Sequence, residues 1–284
     1  MTESALTASQ VYQRLRREIE ANRALLVAGA GSGLVAKCAE LAGADMIAVY
    51  NSGYFRRNGW PSSLGFLPLA NANSLVLSMG ESEILPAVAE APVIAGVLAA
   101  DPTMNIRHHL EAVAHAGFAG VINFPTIGRI DGGFRRDLEA LGFGIETEYR
   151  MFEQALGLGQ FTAAYAFTPV EAARFADIGV HAIIAHMGTT SGGLVGKRNV
   201  MALDEAAMRV EEILDATRGR GSDVIMLCHG GPIASAQDAS HILQQTSAVG
   251  FVGASSVERL PIEVALEDTV GAFKAISVTE GRPM

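Results

Sequence analysis

Short runs rich in β-branched and other apolar residues alternate with amphipathic stretches along the whole chain, and most runs close on glycine or a polar residue. This alternation is the signature of βα units wound around a parallel sheet. Strands are expected near residues 25–28, 46–49, 93–99, 120–123, 162–167, 182–185, 224–227 and 250–252. Eight such units predict an α/β fold of the (β/α)8 TIM-barrel type rather than an open sheet.

The helices carry matching start and stop signals. Thr168-Pro169 supplies a cap and a first-turn proline to the segment 168–178, and Gly179 ends it. The segment 203–217 is apolar at Ala207, Val210 and Leu214 and acidic on its other side, as an outer barrel helix should be. A helix over about 8–22 precedes the first strand and is expected to cap the bottom of the barrel. Two stretches, 50–79 after strand two and 128–159 after strand four, exceed what a connection needs, and the second is expected to hold an extra helix. Long βα loops usually build a barrel's active site. With no repeat, low-complexity tract or linker, the chain reads as one domain over 1–284, with the N-terminal helix in 1–23 and the barrel in 24–277.

Composition narrows the partners. Of 284 residues, 49% are apolar and 18% charged, which suits eight buried strands and excludes disorder as the main state. The 21 basic residues against 30 acidic ones give a formal charge of −9, which argues against nucleic acid. Mean hydropathy is high at +0.27. Yet the longest uncharged apolar run, 91–100, is half of the ~20 residues a membrane span needs. The first residues put charges where a signal peptide needs its apolar core, so cytoplasm is the expected compartment and no membrane is expected as a partner. Cys38 and Cys228 make no disulfide framework and read as small buried residues. The apolar content favours a homo-oligomer.

Several familiar motifs fail on inspection. Gly31-x-Gly33-x-x-Ala36 follows a strand, but no Asp or Glu stands between Asp45 and Glu81 to hold a ribose, so no organic cofactor is expected. A tight turn whose bare amides could hold an anion survives, beside the plainer reading of close strand–helix packing. The segment from Gly192 to Arg198 is too short for a phosphate loop and has arginine where magnesium needs a hydroxyl. The three lysines, Lys37, Lys197 and Lys274, do not fall at strand ends, which disfavours imine chemistry. No zinc spacing and no Gly-x-Ser-x-Gly elbow occurs.

A barrel places function at the C-terminal ends of its strands. Candidates there are Gly31 and Ser32 after strand one, Asn51 and Ser52 after two, Asp101 after three, and Asn123 after four. His186 ends strand six, His229 with Gly230 and Gly231 ends seven, and Gly253, Ser255 and Ser256 end eight. The loops after strands seven and eight resemble a common barrel phosphate site, with Gly230-Gly231 and Gly253-Ala254-Ser255-Ser256 offering amides, though both also read as plain turns. Two histidines at neighbouring strand tops favour acid–base work, against the alternative of satisfied core residues. Asp101 offers a base, a magnesium ligand or merely a cap. Glu146 and Glu148 open the inserted helix expected after strand four, where they compensate its dipole, and one could supply a second carboxylate over the mouth. His108, His109, His115, His181 and His241 read as structural.

Six segments carry a family resemblance: Gly29-Ala30-Gly31-Ser32-Gly33-Leu34, Tyr50-Asn51-Ser52-Gly53, Asn123-Phe124-Pro125-Thr126, the run from Ala185 to Gly193, Leu227-Cys228-His229-Gly230-Gly231-Pro232-Ile233, and the run from Gly253 to Pro261. Together they resemble the phosphoenolpyruvate hydrolase-like family of TIM barrels, also described as signal-transduction barrels, over about 11–273. The resemblance implies kinship with barrels that handle phosphoenolpyruvate and phosphonopyruvate. Related mutases and lyases carry paired aspartates for magnesium and a lysine–cysteine loop; this chain has Asp101-Pro102-Thr103 and neither the second aspartate nor the loop. Magnesium is therefore left open. The expected activity is hydrolysis or isomerisation of a small phosphorylated or phosphono keto acid, with Asp101, Glu148, His186 and His229 as the catalytic set and a small anionic substrate as the partner. The alternatives are a barrel that senses a small acid without chemistry, and an aldolase-type lyase using Lys197.

Overall fold

The computed structural model describes residues 6–220 and 223–278. Eight parallel strands close into a barrel in sequence order: β1 (Leu25–Ala30), β2 (Met46–Val49), β3 (Val93–Gly96), β4 (Gly120–Ile122), β5 (Phe161–Ala166), β6 (Ala182–His186), β7 (Ile225–His229) and β8 (Gly250–Gly253), with β8 pairing back onto β1. The pleat sends alternate residues inward and outward. Leu25, Val27, Met46, Ile94, Ile122, Ala163, Ile184 and Leu227 fill the interior, while Ala28, Ile47, Val121, Ala164 and Ile183 face the helices. The two faces need opposite coverings, and the helices and α1 supply them.

Helix α1 (Ala8–Glu20) starts at Thr7, whose hydroxyl accepts from the Gln10 amide while the Gln10 side chain returns to the Thr7 amide. Val11 and Leu15, four apart, are buried against the inward residues at the lower end of the barrel. The expected bottom cap is therefore present. Around the wall run α2 (Gly33–Leu41), α3 (Asn51–Arg57), α4 (Ala72–Met79), α5 (Ile106–Ala116), α6 (Gly132–Ala140), α7 (Glu146–Gly157), α8 (Pro169–Ile178), α9 (Leu203–Asp215), α10 (Ala236–Gln245) and α11 (Arg259–Lys274). Thr168 caps α8 and Gly179, at φ 88°, ends it. Helix α6, wholly unburied, is the extra element after β4; α7 buries Met151, Phe152 and Ala155 and takes the usual wall position. Among the described residues no helix is long and apolar enough to cross a membrane.

Strand three is shorter than expected. Residues 97–99 continue its apolar run, but the ladder stops at Gly96, because the Asn73 side chain takes both the Leu98 amide and the Leu98 carbonyl and turns the chain away. Asp101 is thus in a loop beyond the barrel rim rather than at a strand end.

Candidate functional site

The upper mouth of the barrel encloses a cavity of about 250 Å3. Its floor is Tyr50, Tyr165, His186 and His229; its sides include Ser52, Arg56, Phe124, Arg129, Ala254 and Ser255; and Ser62, Ser63, Thr189 and Thr190 reach it from the long loops.

His186 and His229 are register partners on β6 and β7, so their side chains point the same way, with ring centroids 4.6 Å apart. Both are buried, and burial holds both pKa values down: His186 well below the ordinary range, His229 to about 4. Both are therefore neutral at pH 7, and their hydrogen bonds fix which nitrogen carries the proton. The Nδ1 of His229 lies 2.6 Å from the Val252 carbonyl, which can only accept, so Nδ1 is protonated and Nε2 holds a lone pair. In His186 the Gly188 amide donates to Nδ1 at 2.9 Å, so Nδ1 carries the lone pair and Nε2 the hydrogen. One ring presents an acceptor to the cavity and its neighbour a donor. Phe167 stacks on His186 at 4.5 Å and Tyr165 packs edge-on at 4.9 Å, which locks the ring.

Arg56 is the charge of the site. It sits on α3, 3% exposed, and its Nε donates to Glu258 at 2.6 Å while Nη1 donates to Ser52 Oγ at 2.9 Å. Its Nη2 is buried with no hydrogen-bond partner. Buried donors are rarely left unmet, and a guanidinium edge suits a carboxylate or phosphate. The other oxygen of Glu258 accepts the Gly31 amide at 2.7 Å, so this carboxylate ties the tops of β1, β2 and β8 together. Gly31 and Gly53 meet backbone to backbone there, and a Cβ on Gly31 would overlap the Gly53 carbonyl. Gly31→Ala should lower stability by roughly 1–3 kcal/mol, read as a fall in the unfolding midpoint. A second cation, Arg129, lines the cavity. Its field lowers the His186 pKa further, as that of Arg56 does for His229. On the floor the Tyr50 and Tyr165 hydroxyls share a hydrogen bond of 2.8 Å. Burial pushes Tyr50 up to about 12 and Tyr165 well above the ordinary phenol, so both keep their protons.

Of the residues singled out from sequence, His186, His229, Ser52 and Ser255 meet in this cavity. The others are placed around it. The Gly31 amide is held by Glu258, and Ser32 caps α2. Asn51 donates to the Gly65 carbonyl. Asn123 donates to Glu148 and to the Tyr165 carbonyl and accepts the Tyr165 amide, which braces β4 against β5. Gly230 and Gly231 take φ of 77° and 60°, and the Gly231 amide is bound to the Gly188 carbonyl. These glycines shape the turn beneath Gly188. Gly253 is the last residue of β8, and the Ser256 hydroxyl is buried without a partner. Asp101 accepts from Asn71, Asn73 and Thr103, which lower its pKa despite partial burial. Cys228 is buried and its thiol is pushed up to about 12, whereas Cys38 is exposed rather than buried as expected.

Glu148 lies behind the cavity wall, 1% exposed, accepting from Asn123 Nδ2 at 2.5 Å, Thr126 Oγ1 at 3.0 Å and the Ile127 amide at 2.6 Å. Burial outweighs these bonds and lifts its pKa to about 7. A proton is taken up on folding below that value, so its contribution to stability is full below the unfolded carboxyl pKa of about 4.3 and is lost as pH rises through 7. Glu148→Gln should remove that pH dependence and, by turning an amide donor toward these donors, cost roughly 1–3 kcal/mol. Denaturant melts between pH 4.5 and 8 measure both effects.

Hard divalent cations take carboxylate and carbonyl oxygens. The cavity lining offers two arginines, two histidines and hydroxyls but no carboxylate, and no cluster of three His, Cys, Asp or Glu side chains is present among the described residues. These residues do not fit magnesium. The lining also has no lysine, which leaves the imine reading of Lys197 without support.

Tyr165 stands at the end of strand five as the strand-end rule expects, but Arg56, Glu258, Tyr50 and Arg129 were not legible as site residues. The strand-end rule finds residues by position along one strand, whereas these act through partners far away in sequence.

The fold has known counterparts. Among solved structures, a phosphonopyruvate hydrolase in complex with oxalate and Mg++ superposes with a TM-score of 0.58 at 18% identity, over 93% of this chain and 87% of that one. A phosphoenolpyruvate phosphomutase from Streptomyces platensis subsp. rosaceus gives 0.59 at 16%, over 93% and 87%. At such identities the likeness is one of fold. The ToMV susceptible protein tm-1(GCR26) of Solanum lycopersicum is 45% identical over 269 residues, 94% of this chain. The chain spans 36% of the length of that relative. The phosphoenolpyruvate hydrolase-like family model matches residues 10–276. The chain belongs to the phosphoenolpyruvate hydrolase-like family.

Proposed function

We propose that the barrel is an enzyme that hydrolyses or isomerises a small phosphorylated or phosphono keto acid by metal-independent proton transfer. The observation that carries this reading is the pairing of His229 and His186, one Nε2 a proton acceptor and the other a donor, in a cavity lined by Arg56, whose Nη2 has no hydrogen-bond partner. An anionic end of the substrate takes the free Arg56 edge with the Ser255 hydroxyl, and a second negative group faces Arg129. Held there, a hydrolytic water gives a proton to His229 Nε2 as it attacks phosphorus, and the bond from phosphorus to the leaving group breaks with its electron pair passing to the enolate, whose oxygen accepts a hydrogen bond from the neutral Nε2–H of His186. The imidazolium of His229 then gives its proton to the enolate, which returns both rings to their neutral forms. For isomerisation the same acceptor removes a carbon-bound proton while the His186 Nε2–H donates a hydrogen bond to the carbonyl oxygen and stabilises the enolate. The Tyr50–Tyr165 pair supplies a further neutral donor for an oxyanion.

This placement keeps Ser255 from the expected set of Gly230, Gly231, Gly253 and Ser255 but not Gly231, whose amide is spent on Gly188. The test is phosphate release from phosphoenolpyruvate and phosphonopyruvate by the pure protein, followed beside calorimetric binding of each. Release that is abolished in His229→Gln supports the reading. A ligand that is bound and returned unchanged contradicts it, and favours a barrel that senses a small acid.

A further inference from the structure

We infer that the substrate of this cavity is a 2-oxo acid that carries a flat apolar group, a phenyl ring being the simplest, on the carbon following its carbonyl. The inference rests on the anion site at Arg56 proposed above and says what lies at the other end of the same molecule. A three-carbon acid with a phosphoryl or phosphono group is charged at both ends and has almost no apolar surface to bury. Yet much of the lining is carbon: Phe66, Phe124, Ile130 and the rings of Tyr50 and Tyr165. Ligand sites place a few polar groups to orient a molecule and apolar walls to take up its body, so walls of this kind call for a body that fits them.

The aromatic wall is a connected cluster. Phe124 stands at its centre, edge-on to Phe66 at 5.2 Å, to Tyr50 at 5.0 Å and to Tyr165 at 6.2 Å, the geometry in which a further ring is readily added. Phe66 comes from the long stretch after β2, and its place there is fixed. The carbonyl of neighbouring Gly65 accepts from the buried Asn51 Nδ2 at 2.8 Å, and a Cβ on Gly65 would stand 3.1 Å from the Asn51 side-chain oxygen. A loop longer than a connection requires thus holds a phenyl ring against the cavity. Size agrees, since a pocket of about 150 Å3 takes a benzene ring. At about 250 Å3 this cavity has room for a ring with a short acid chain beside it. The two ends are also separated: Glu258 draws Arg56 toward the top of β8, whereas Phe124 and Ile130 follow β4. An acid spanning them crosses the floor on which His186 and His229 stand.

The test is the ratio of the dissociation constants of phenylpyruvate and pyruvate on the whole protein, by calorimetry, with pyruvate titrated by displacement. Phenylpyruvate is expected to bind roughly 10²-fold more tightly, since a single methylene in an apolar pocket is already worth about 10–200-fold. Phe66→Ala should cut that ratio about tenfold and Phe66→Leu should restore part of it. Phe66 is half-buried on a loop, so both variants should keep the wild-type circular dichroism spectrum. A ratio near one overturns the inference, as does a ratio that Phe66→Ala and Phe124→Leu both leave unchanged, or binding of neither acid. Its failure is distinct from failure of the reaction. Phosphonopyruvate consumed while the ratio stays near one contradicts this inference alone. Phenylpyruvate bound tightly while no phosphono acid is consumed contradicts the enzymatic reading and supports this one.

Discussion

Arg56→Ala should unfold the protein at a markedly lower temperature than any other single change at the site. The Arg56–Glu258 pair is 1% and 2% exposed on its two side chains, and its contact is 2.6 Å. Removing one partner of such a pair leaves the other charge buried and unmatched, at a cost of roughly 3–5 kcal/mol. At about 2–4 °C per kcal/mol for a domain near this size, the midpoint should fall by roughly 6–20 °C. Replacing both partners, Arg56→Met with Glu258→Leu, should restore much of that loss, because neither charge then remains to be solvated. Anion binding would not return with it. That split separates the two parts proposed for Arg56: the Nε edge holds the barrel mouth together, and the Nη2 edge takes the anion. A melt of the single and double variants, each with and without phosphonopyruvate, reads both.

His229→Gln should lower kcat by about 10²–10⁴-fold, the usual worth of a positioned acid or base, with binding of the anion retained. Glutamine still donates to the Val252 carbonyl but offers no basic nitrogen, so fold and ligand site survive while proton acceptance is lost. The wild-type pH profile follows from the same environment. With its pKa lowered to about 4, His229 stays a neutral acceptor down to that pH, so the acid limb of kcat/KM should fall near 4 rather than near the ordinary 6.5. The sign for stability is the reverse of that for Glu148. A histidine kept neutral by burial leaves the unfolded chain with more protons below 6.5, so its contribution is lost as pH falls from 6.5 toward 4.

The wall of the barrel was legible because its strands are short apolar runs closed by glycine or a polar residue. The two histidines were legible for the same reason: each ends such a run, and a buried strand tolerates an imidazole only where it finds a partner. The rim was harder. Asp101 follows three more apolar residues after β3, and nothing local says that Asn73 intercepts the backbone at Leu98. Gly230-Gly231 has the composition of an anion cradle, but its second amide is consumed by Gly188 in a loop forty residues earlier. Arg56 looks like one of two adjacent arginines at the end of a short helix. Its meaning lies in Glu258, 202 residues away, and local pattern carries no information about such a pair.

One cavity holds a hydrogen-bond acceptor and a hydrogen-bond donor side by side at neutral pH. Nitrogen-15 NMR of histidine-labelled protein tests it without any substrate. At pH 7 the rings are expected to be neutral and of opposite tautomer, protonated at Nδ1 in His229 and at Nε2 in His186, with His229 titrating only near pH 4. An imidazolium at either position at pH 7, or the same tautomer at both, would contradict it.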